Sequence, residues 1–226
     1  MQFTNLYEEG QVLLIDKPIE WTSFDAVRKV RYLTKTKKVG HAGTLDPLAT
    51  GLLIICTGKF TKKINEFMAQ EKEYTGSITI GATTPTYDLE SEPENHKPFD
   101  HISKNELDAC VKNFTGPIMQ TPPIHSAIKK EGRRVYELAR RGEEVKLDPR
   151  PVTISAFEIV KFELPLIHFR VVCTTGTYIR SLANDFGACL GTGGYLSSLC
   201  RTRIGNFLLK DALTMEGFEE KVRNSR

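Results

Sequence analysis

The sequence lacks most of the signals that announce a common class of protein. It has no apolar run approaching the ~20 residues that a membrane span needs. Its opening residues, Met1-Gln2-Phe3-Thr4-Asn5-Leu6, lack the basic-then-apolar order of a secretory leader. No Walker sequence and no HExxH are present. The run Gly191-Thr192-Gly193-Gly194 follows a predicted helix and precedes a predicted strand, so it is not a dinucleotide fingerprint. The five cysteines, Cys56, Cys110, Cys173, Cys189 and Cys200, form no CxxC pair, and no histidine stands at zinc-finger spacing from two of them. Lying mostly in apolar stretches, they are expected to be buried free thiols in a reducing compartment, which makes the cytoplasm the expected location. No internal repeat, low-complexity tract or linker divides the chain. Nor is there a large excess of one charge: 31 Lys and Arg stand against 28 Asp and Glu, for a net +3.

What is present fits one large domain. A chain of 226 residues, 40% apolar, can bury a sizeable core without disulfides or metals. The charges are segregated. Arg28, Lys29, Arg31, Lys35, Lys37 and Lys38 form a stretch with no acid among them. Residues 129–150 are basic but diluted by acids, and Asp88, Glu90, Glu92, Glu94 and Asp100 gather elsewhere. This distribution suits a polyanion-binding face opposite a solvated acidic one.

Periodicity predicts strands at 11–16, 52–56, 74–80, 151–162, 166–173 and 195–200. Helices are predicted after a Ser23 cap, over 59–68, from a Ser103/Glu106 capping box through Phe114, near 134–141, over 177–190 and in the tail from Asp211. Residues 82–100 are predicted to be a loop. The order is neither a βαβ alternation nor all-β, and implies an α+β domain: a mixed, mostly antiparallel sheet flanked by helices and loops.

One segment stands out. Residues 40–51, GHAGTLDPLATG, hold a single acid, Asp46, in a bend of Gly, Thr and Pro that enters an apolar run. Pro47 removes a backbone donor and pushes Asp46 toward an extended conformation. A carboxylate entering a core is costly unless paired or used. A lone Asp cannot perform two-carboxylate glycoside hydrolysis. It can serve as nucleophile or base if a cation holds it ionised. Arg180, on the first turns of a helix after Gly176, is a candidate cation. Tyr74 and Tyr178 stand beside polar or basic neighbours and could stack on an unpaired base. His41 could stack, contact a phosphate or cap its turn.

These residues sit in motifs that resemble, in order, those of the TruB-type tRNA pseudouridine-55 synthases. The motifs are DKP at 16–18 with Thr22-Ser23, GHAGTLDPLATG at 40–51, and Lys72-Glu73-Tyr74. Thr121-Pro122-Pro123 with Ser126-Ala127 follows, then Gly132-Arg133-Arg134-Val135-Tyr136 with Ala139-Arg140. GTYIRSLANDFG at 176–187 and Leu199-Cys200-Arg201-Thr202-Arg203 complete the set. The resemblance spans nearly the whole chain. It implies a pseudouridine synthase fold with an RNA-clamping insertion at about 122–150, in one catalytic domain over 1–226. It also implies isomerisation of uridine 55 in the T loop of tRNA without metal or organic cofactor. Asp46 matches the catalytic aspartate, Arg180 the arginine that pairs with it, and Tyr74 the tyrosine that stacks on the target uracil. Tyr178 and Leu199 match residues lining the uracil pocket, His41 one that contacts the RNA, and Lys17 a lysine near the active site. The expected partner is the tRNA T-arm, bound by a monomer that needs no protein partner and no membrane. Chemistry on the far side of a base requires extruding it from its stack.

Two departures from the family pattern carry expectations. Many members continue into a small RNA-binding domain of the PUA kind, for which too few residues follow Arg203. Glu20 stands where Gly is expected; Gly there would permit a positive φ that Glu adopts only at a cost, so a small local rearrangement without loss of activity is expected. The competing functions are a non-catalytic RNA-binding or tRNA-folding module, a hydrolase that stops at the broken glycosidic bond, and a pseudouridine synthase acting on another RNA.

Overall fold

The computed structural model describes residues 5–126, 129–130, 133–134 and 147–225. In chain order the elements are α1 (Leu6–Glu9), β1 (Val12–Lys17), α2 (Ser23–Thr34), β2 (Val39–His41) and β3 (Ala49–Thr57). A 3₁₀ turn, Gly58–Lys63, runs into α3 (Ile64–Ala69) and β4 (Lys72–Ile80). Next come α4 (Lys104–Asn113), β5 (Gly116–Gln120), the short pair β6 (Lys129–Lys130) and β7 (Arg133–Arg134), then β8 (Arg150–Glu163) and β9 (Leu166–Cys173). The chain ends with α5 (Ile179–Cys189), β10 (Gly194–Ile204), β11 (Phe207–Leu208), β12 (Leu213–Thr214) and α6 (Met215–Asn224). The class is α+β, as expected. Most strand pairs are antiparallel, while β1–β12 and β3–β10 are parallel. The helix expected near 134–141 and most of the clamp lie outside the described residues. Among the described residues, no helix is long and apolar enough to cross a membrane.

The chain forms two compact units, one of residues 1–75 and 199–226, the other of 76–198. It passes between them inside β4 and inside β10, which is why no linker marks the division.

In the first unit β3 is the central strand. β1 pairs along one side of it, from Val12–Cys56 to Lys17–Gly51, while β2 and the end of β10 share the other. Leu52 to Cys56 are wholly withdrawn from solvent. Leu53 and Ile55 face Val27, Val30 and Phe218 of α2 and α6, whereas Leu52, Ile54 and Cys56 face Phe60, Ile64 and Phe67. A strand covered on both faces needs a continuous apolar run rather than an alternation. Truncating one of these side chains to Ala costs about 2–5 kcal/mol in such settings.

The cap of α2 is Thr22, not Ser23. Thr22 and Asp25 form a reciprocal capping box. Ser23 is thereby released inward, where its hydroxyl accepts from the Leu45 N–H at 2.8 Å and donates to the Leu45 carbonyl at 3.2 Å. The predicted helix over 59–68 is a 3₁₀ turn followed by the shorter α3.

In the second unit β4, β9, β8 and β5 lie in that order, with β10 beside β4. Phe157 contacts both Phe169 and Phe186, with ring centroids 6.2 Å and 5.4 Å apart, and this edge-on cluster seats α5 on the sheet. The Ser103/Glu106 capping box forms as expected. One expectation is corrected: Cys110 of α4 and Cys189 of α5 form a disulfide, leaving Cys56, Cys173 and Cys200 as free thiols. The two partners are 79 residues apart in sequence, and only the packing of α4 beside α5 brings them together.

Candidate active site

In the first unit the Asp46 loop is held by its backbone from several directions. Ser23 fixes Leu45 at both its N–H and its carbonyl. The Pro47 carbonyl accepts from the Glu20 N–H at 2.8 Å and from Lys17 Nζ at 3.4 Å. Glu20 has φ of 67°, the left-handed conformation that favours Gly and that a side chain adopts at a cost. Asp46's own carbonyl accepts from the Ala49 N–H, closing the turn into β3 at 3.0 Å. The side chain of Asp46 remains half-buried.

Lys17 is completely buried. Its ammonium donates to the carbonyls of Pro18 at 2.8 Å, Trp21 at 2.6 Å and Pro47 at 3.4 Å. One cation thus ties the DKP turn, the approach to α2 and the Asp46 loop together. Burial pushes this ammonium down to about 8; Asp46 pulls it back up, and the Arg201 guanidinium lowers it further. A lysine depressed in the folded state makes folding less favourable while pH lies below about 8. That penalty, roughly 3 kcal/mol, is relieved as pH rises toward the ordinary lysine value. Urea unfolding between pH 8 and 10 should therefore show stability rising in the wild type relative to Lys17→Met. Over the same interval the rate should fall, because the neutral amine has one N–H fewer for three carbonyls. Parallel stability profiles of the two proteins would remove the claim.

His41 ends β2 and is half-buried. Burial lowers its imidazole pKa, outweighing a hydrogen bond with the Gly43 backbone, and Arg201 lowers it further. The ring is therefore uncharged at neutral pH. Leu199 pairs in parallel register with Ala49, three residues after Asp46, and its carbonyl accepts from the Thr50 hydroxyl at 3.4 Å. Tyr74 is buried on β4. The residues before it are tied to β10: Glu73 accepts from the Thr202 hydroxyl at 3.0 Å, and Arg203 reaches Glu71 at 2.9 Å and Glu73 at 3.7 Å.

In the second unit Tyr178 caps α5 and is half-buried. The Gln120 amide clamps its backbone in both directions, accepting from the Tyr178 N–H at 2.8 Å and donating to its carbonyl at 3.1 Å. Arg180 is 5% exposed. Its Nη1 donates to the Thr86 carbonyl at 3.1 Å, its Nη2 to the His125 carbonyl at 2.9 Å, and its Nε faces Asp88 at 3.6 Å. Asp88 is buried, which corrects its assignment to the solvated acidic face; Glu90, Glu92, Glu94 and Asp100 are exposed as expected. Asp88 also accepts from the Glu90 N–H at 3.0 Å.

The first unit thus gathers Lys17, His41, Asp46 and Leu199 around one loop, and the second fixes Tyr178 and Arg180 at the start of α5. Asp88, Gln120 and Arg201 are not among the site residues expected from the sequence. Arg201 stands inside the Leu199–Arg203 motif, but nothing local marks it as buried. Asp88 and Gln120 carried no local signal. The chemistry available in the first unit is that of a carboxylate on a rigid loop, with the buried cations Lys17 and Arg201 beneath it.

The sequence model for the TruB family pseudouridylate synthase (N terminal domain) matches residues 31–179. The tRNA pseudouridine synthase B of Flavobacterium johnsoniae is 56% identical over 224 residues, covering 96% of this chain and 98% of that one. Its counterpart in Phocaeicola vulgatus is 49% identical over 220 residues, covering 95% and 94%. Among solved structures, a crystal structure of a Cbf5-Nop10-Gar1 complex contains a chain with a TM-score of 0.74 at 27% identity, over 95% of this chain and 54% of that one. A crystal structure of the archaeal box H/ACA sRNP Nop10-Cbf5 complex gives 0.71 at 24%, over 96% and 55%. The chain spans about half the length of those solved chains. Fold, loop motif and relatives together define a pseudouridylate synthase. Within that class the chain belongs to the TruB family.

Proposed function

We propose that the protein converts uridine 55, in the T loop of tRNA, to pseudouridine. The observation that carries this reading is Asp46: a carboxylate in the family's loop motif, on a backbone fixed by Ser23, Glu20 and Lys17. Relatives that match the chain over nearly its whole length are named tRNA pseudouridine synthase B. In the proposed reaction Asp46 acts on the sugar as nucleophile or base. The N1–C1′ bond breaks, the uracil turns, C5 joins C1′, and the C5 proton is lost while N1 gains one. The product has the mass of the substrate. The resemblance implies that Arg180 pairs with Asp46. Tyr74 stacks on the uracil near C5, and Tyr178 and Leu199 line its pocket. Lys17 holds the loop from beneath. His41 contacts the RNA, as the resemblance implies. The proposal requires no metal and no organic cofactor.

The base must leave its stack first, at a cost of a few kcal/mol that stacking and backbone contacts offset. Of the six cations in the first basic stretch, Arg28 pairs with Asp25 and Lys29 with Glu219, while Arg31 donates to the Val39 carbonyl. Lys35, Lys37 and Lys38 are exposed and lead into β2 and His41. They are the cations of this stretch suited to phosphates. Replacing one of the three by Gln should weaken tRNA binding and reduce the slope of log affinity against log salt by about 1, with the single-turnover rate at saturation unchanged. An unaltered slope for all three would exclude this face from the interface.

The protein is proposed to act in the cytoplasm as a monomer without a protein partner. The test is a map of modified uridines in tRNA from cells lacking it. Loss of pseudouridine at position 55 alone, restored by the wild-type gene, is the expected result. Retention of that pseudouridine, with loss at a site in another RNA, would reassign the substrate.

A further inference from the structure

Arg201 is the bulkiest wholly buried side chain among the described residues, at 1% exposure. Its backbone lies on β10 against Gly51 in parallel register. The approach is too close for any side chain there: a Cβ on Gly51, whose φ is 100°, would stand 2.4 Å from the Arg201 carbonyl oxygen. From that position the guanidinium turns into the Asp46 loop. Nε donates to the Leu52 carbonyl at 2.8 Å, Nη1 to the Thr44 carbonyl at 3.4 Å and Nη2 to the Gly43 carbonyl at 3.2 Å. Among the described residues no carboxylate pairs with it.

Burying a guanidinium without a carboxylate is a poor way to stabilise a fold, since an apolar side chain of similar volume serves as well or better. What a guanidinium supplies is geometry: several donors in one rigid plane. Here that plane grips the chain on both sides of Asp46, at Gly43 and Thr44 before it and at Leu52 after it. We infer that Arg201 is a positioning residue for Asp46, fixing the entry and exit of its loop through three backbone carbonyls so that the carboxylate holds one place. This rests on the reading of Asp46 as the catalytic acid. Lys17 cannot substitute, because its bonds go to Pro18, Trp21 and Pro47 and none of them to Gly43, Thr44 or Leu52.

Arg201→Lys and Arg201→Gln, with Asp46→Asn alongside, should be compared for folded fraction, affinity for a T-arm stem-loop and single-turnover rate at saturating enzyme. A displacement of about 1 Å at a reacting group lowers rates on the order of 100-fold. The folded Gln variant should lose about that factor, the Lys variant less, and both should bind RNA within about threefold of wild type. Full rate in either folded variant, or a loss confined to affinity or to the amplitude of the active fraction, overturns the inference. Failure of both variants to fold assigns Arg201 to the fold alone and also overturns it. If Asp46→Asn is itself fully active, the reading of Asp46 fails rather than the role of Arg201.

Discussion

Asp46→Asn should abolish pseudouridine formation, with a loss on the order of 10⁴-fold or more in single-turnover rate, while T-arm affinity stays within a few-fold of wild type. The amide has the shape of the carboxylate but is neither nucleophile nor base at neutral pH. The substitution should leave the loop standing, because Ser23, Glu20, Lys17 and Arg201 hold the carbonyls and N–H groups of the loop and its flanks rather than the acid itself. The variant therefore separates binding from chemistry. Rate measurement by release of tritium from 5-tritiated uridine, with affinity by filter binding, makes the check. A normal rate would remove Asp46 from the reaction; loss of binding together with rate would make it a residue of RNA recognition.

The second large effect is expected at Asp88. Arg180 and Asp88 are both almost wholly buried, and the carboxylate faces Arg180 Nε. Removing one member of a buried ion pair costs up to about 3–5 kcal/mol, and less where the remaining charge keeps other partners. Asp88→Ala should destabilise the protein by roughly 3 kcal/mol in urea unfolding and lower the rate as well, since Arg180 loses one of the groups that orient it. Asp88→Asn should cost less, because the amide can still accept the Glu90 N–H. In an Arg180→Met background most of the penalty should vanish, because the interaction that Asp88→Ala removes is already absent. Equal destabilisation by Asp88→Ala in both backgrounds would show that the pair is not coupled.

Much of this was legible in the sequence because it is local. β3 announced itself as an apolar run bounded by Gly, and the α4 capping box was visible in Ser103 and Glu106. That Glu20 replaces a residue favouring positive φ was visible in the DKP pattern; that it keeps such a φ, at 67°, was not. Thr22 and Ser23 are both good caps, and only the inward bonds of Ser23 to Leu45 decide between them. β2 was hidden between the basic stretch and the Asp46 loop; its three residues are a strand because the edge of β3 offers them partners. The disulfide and the burial of Asp88 are tertiary facts, invisible when acids and cysteines are counted along the chain. The boundary between the units was equally hidden, since it falls inside two strands. At the site, the motifs named Lys17, His41, Asp46, Tyr74, Tyr178, Arg180 and Leu199, but assigned nothing to Asp88, Gln120 or Arg201. Arg201 acts through carbonyls 149 and 158 positions away, a separation that no spacing rule reaches.

The most direct measurement is mass spectrometry on a T-arm stem-loop incubated with the purified protein, intact and after nuclease digestion. Unchanged RNA mass, one loop uridine converted to pseudouridine and no free uracil is the expected result. Free uracil with an abasic RNA, or RNA bound tightly yet wholly unmodified, would contradict it.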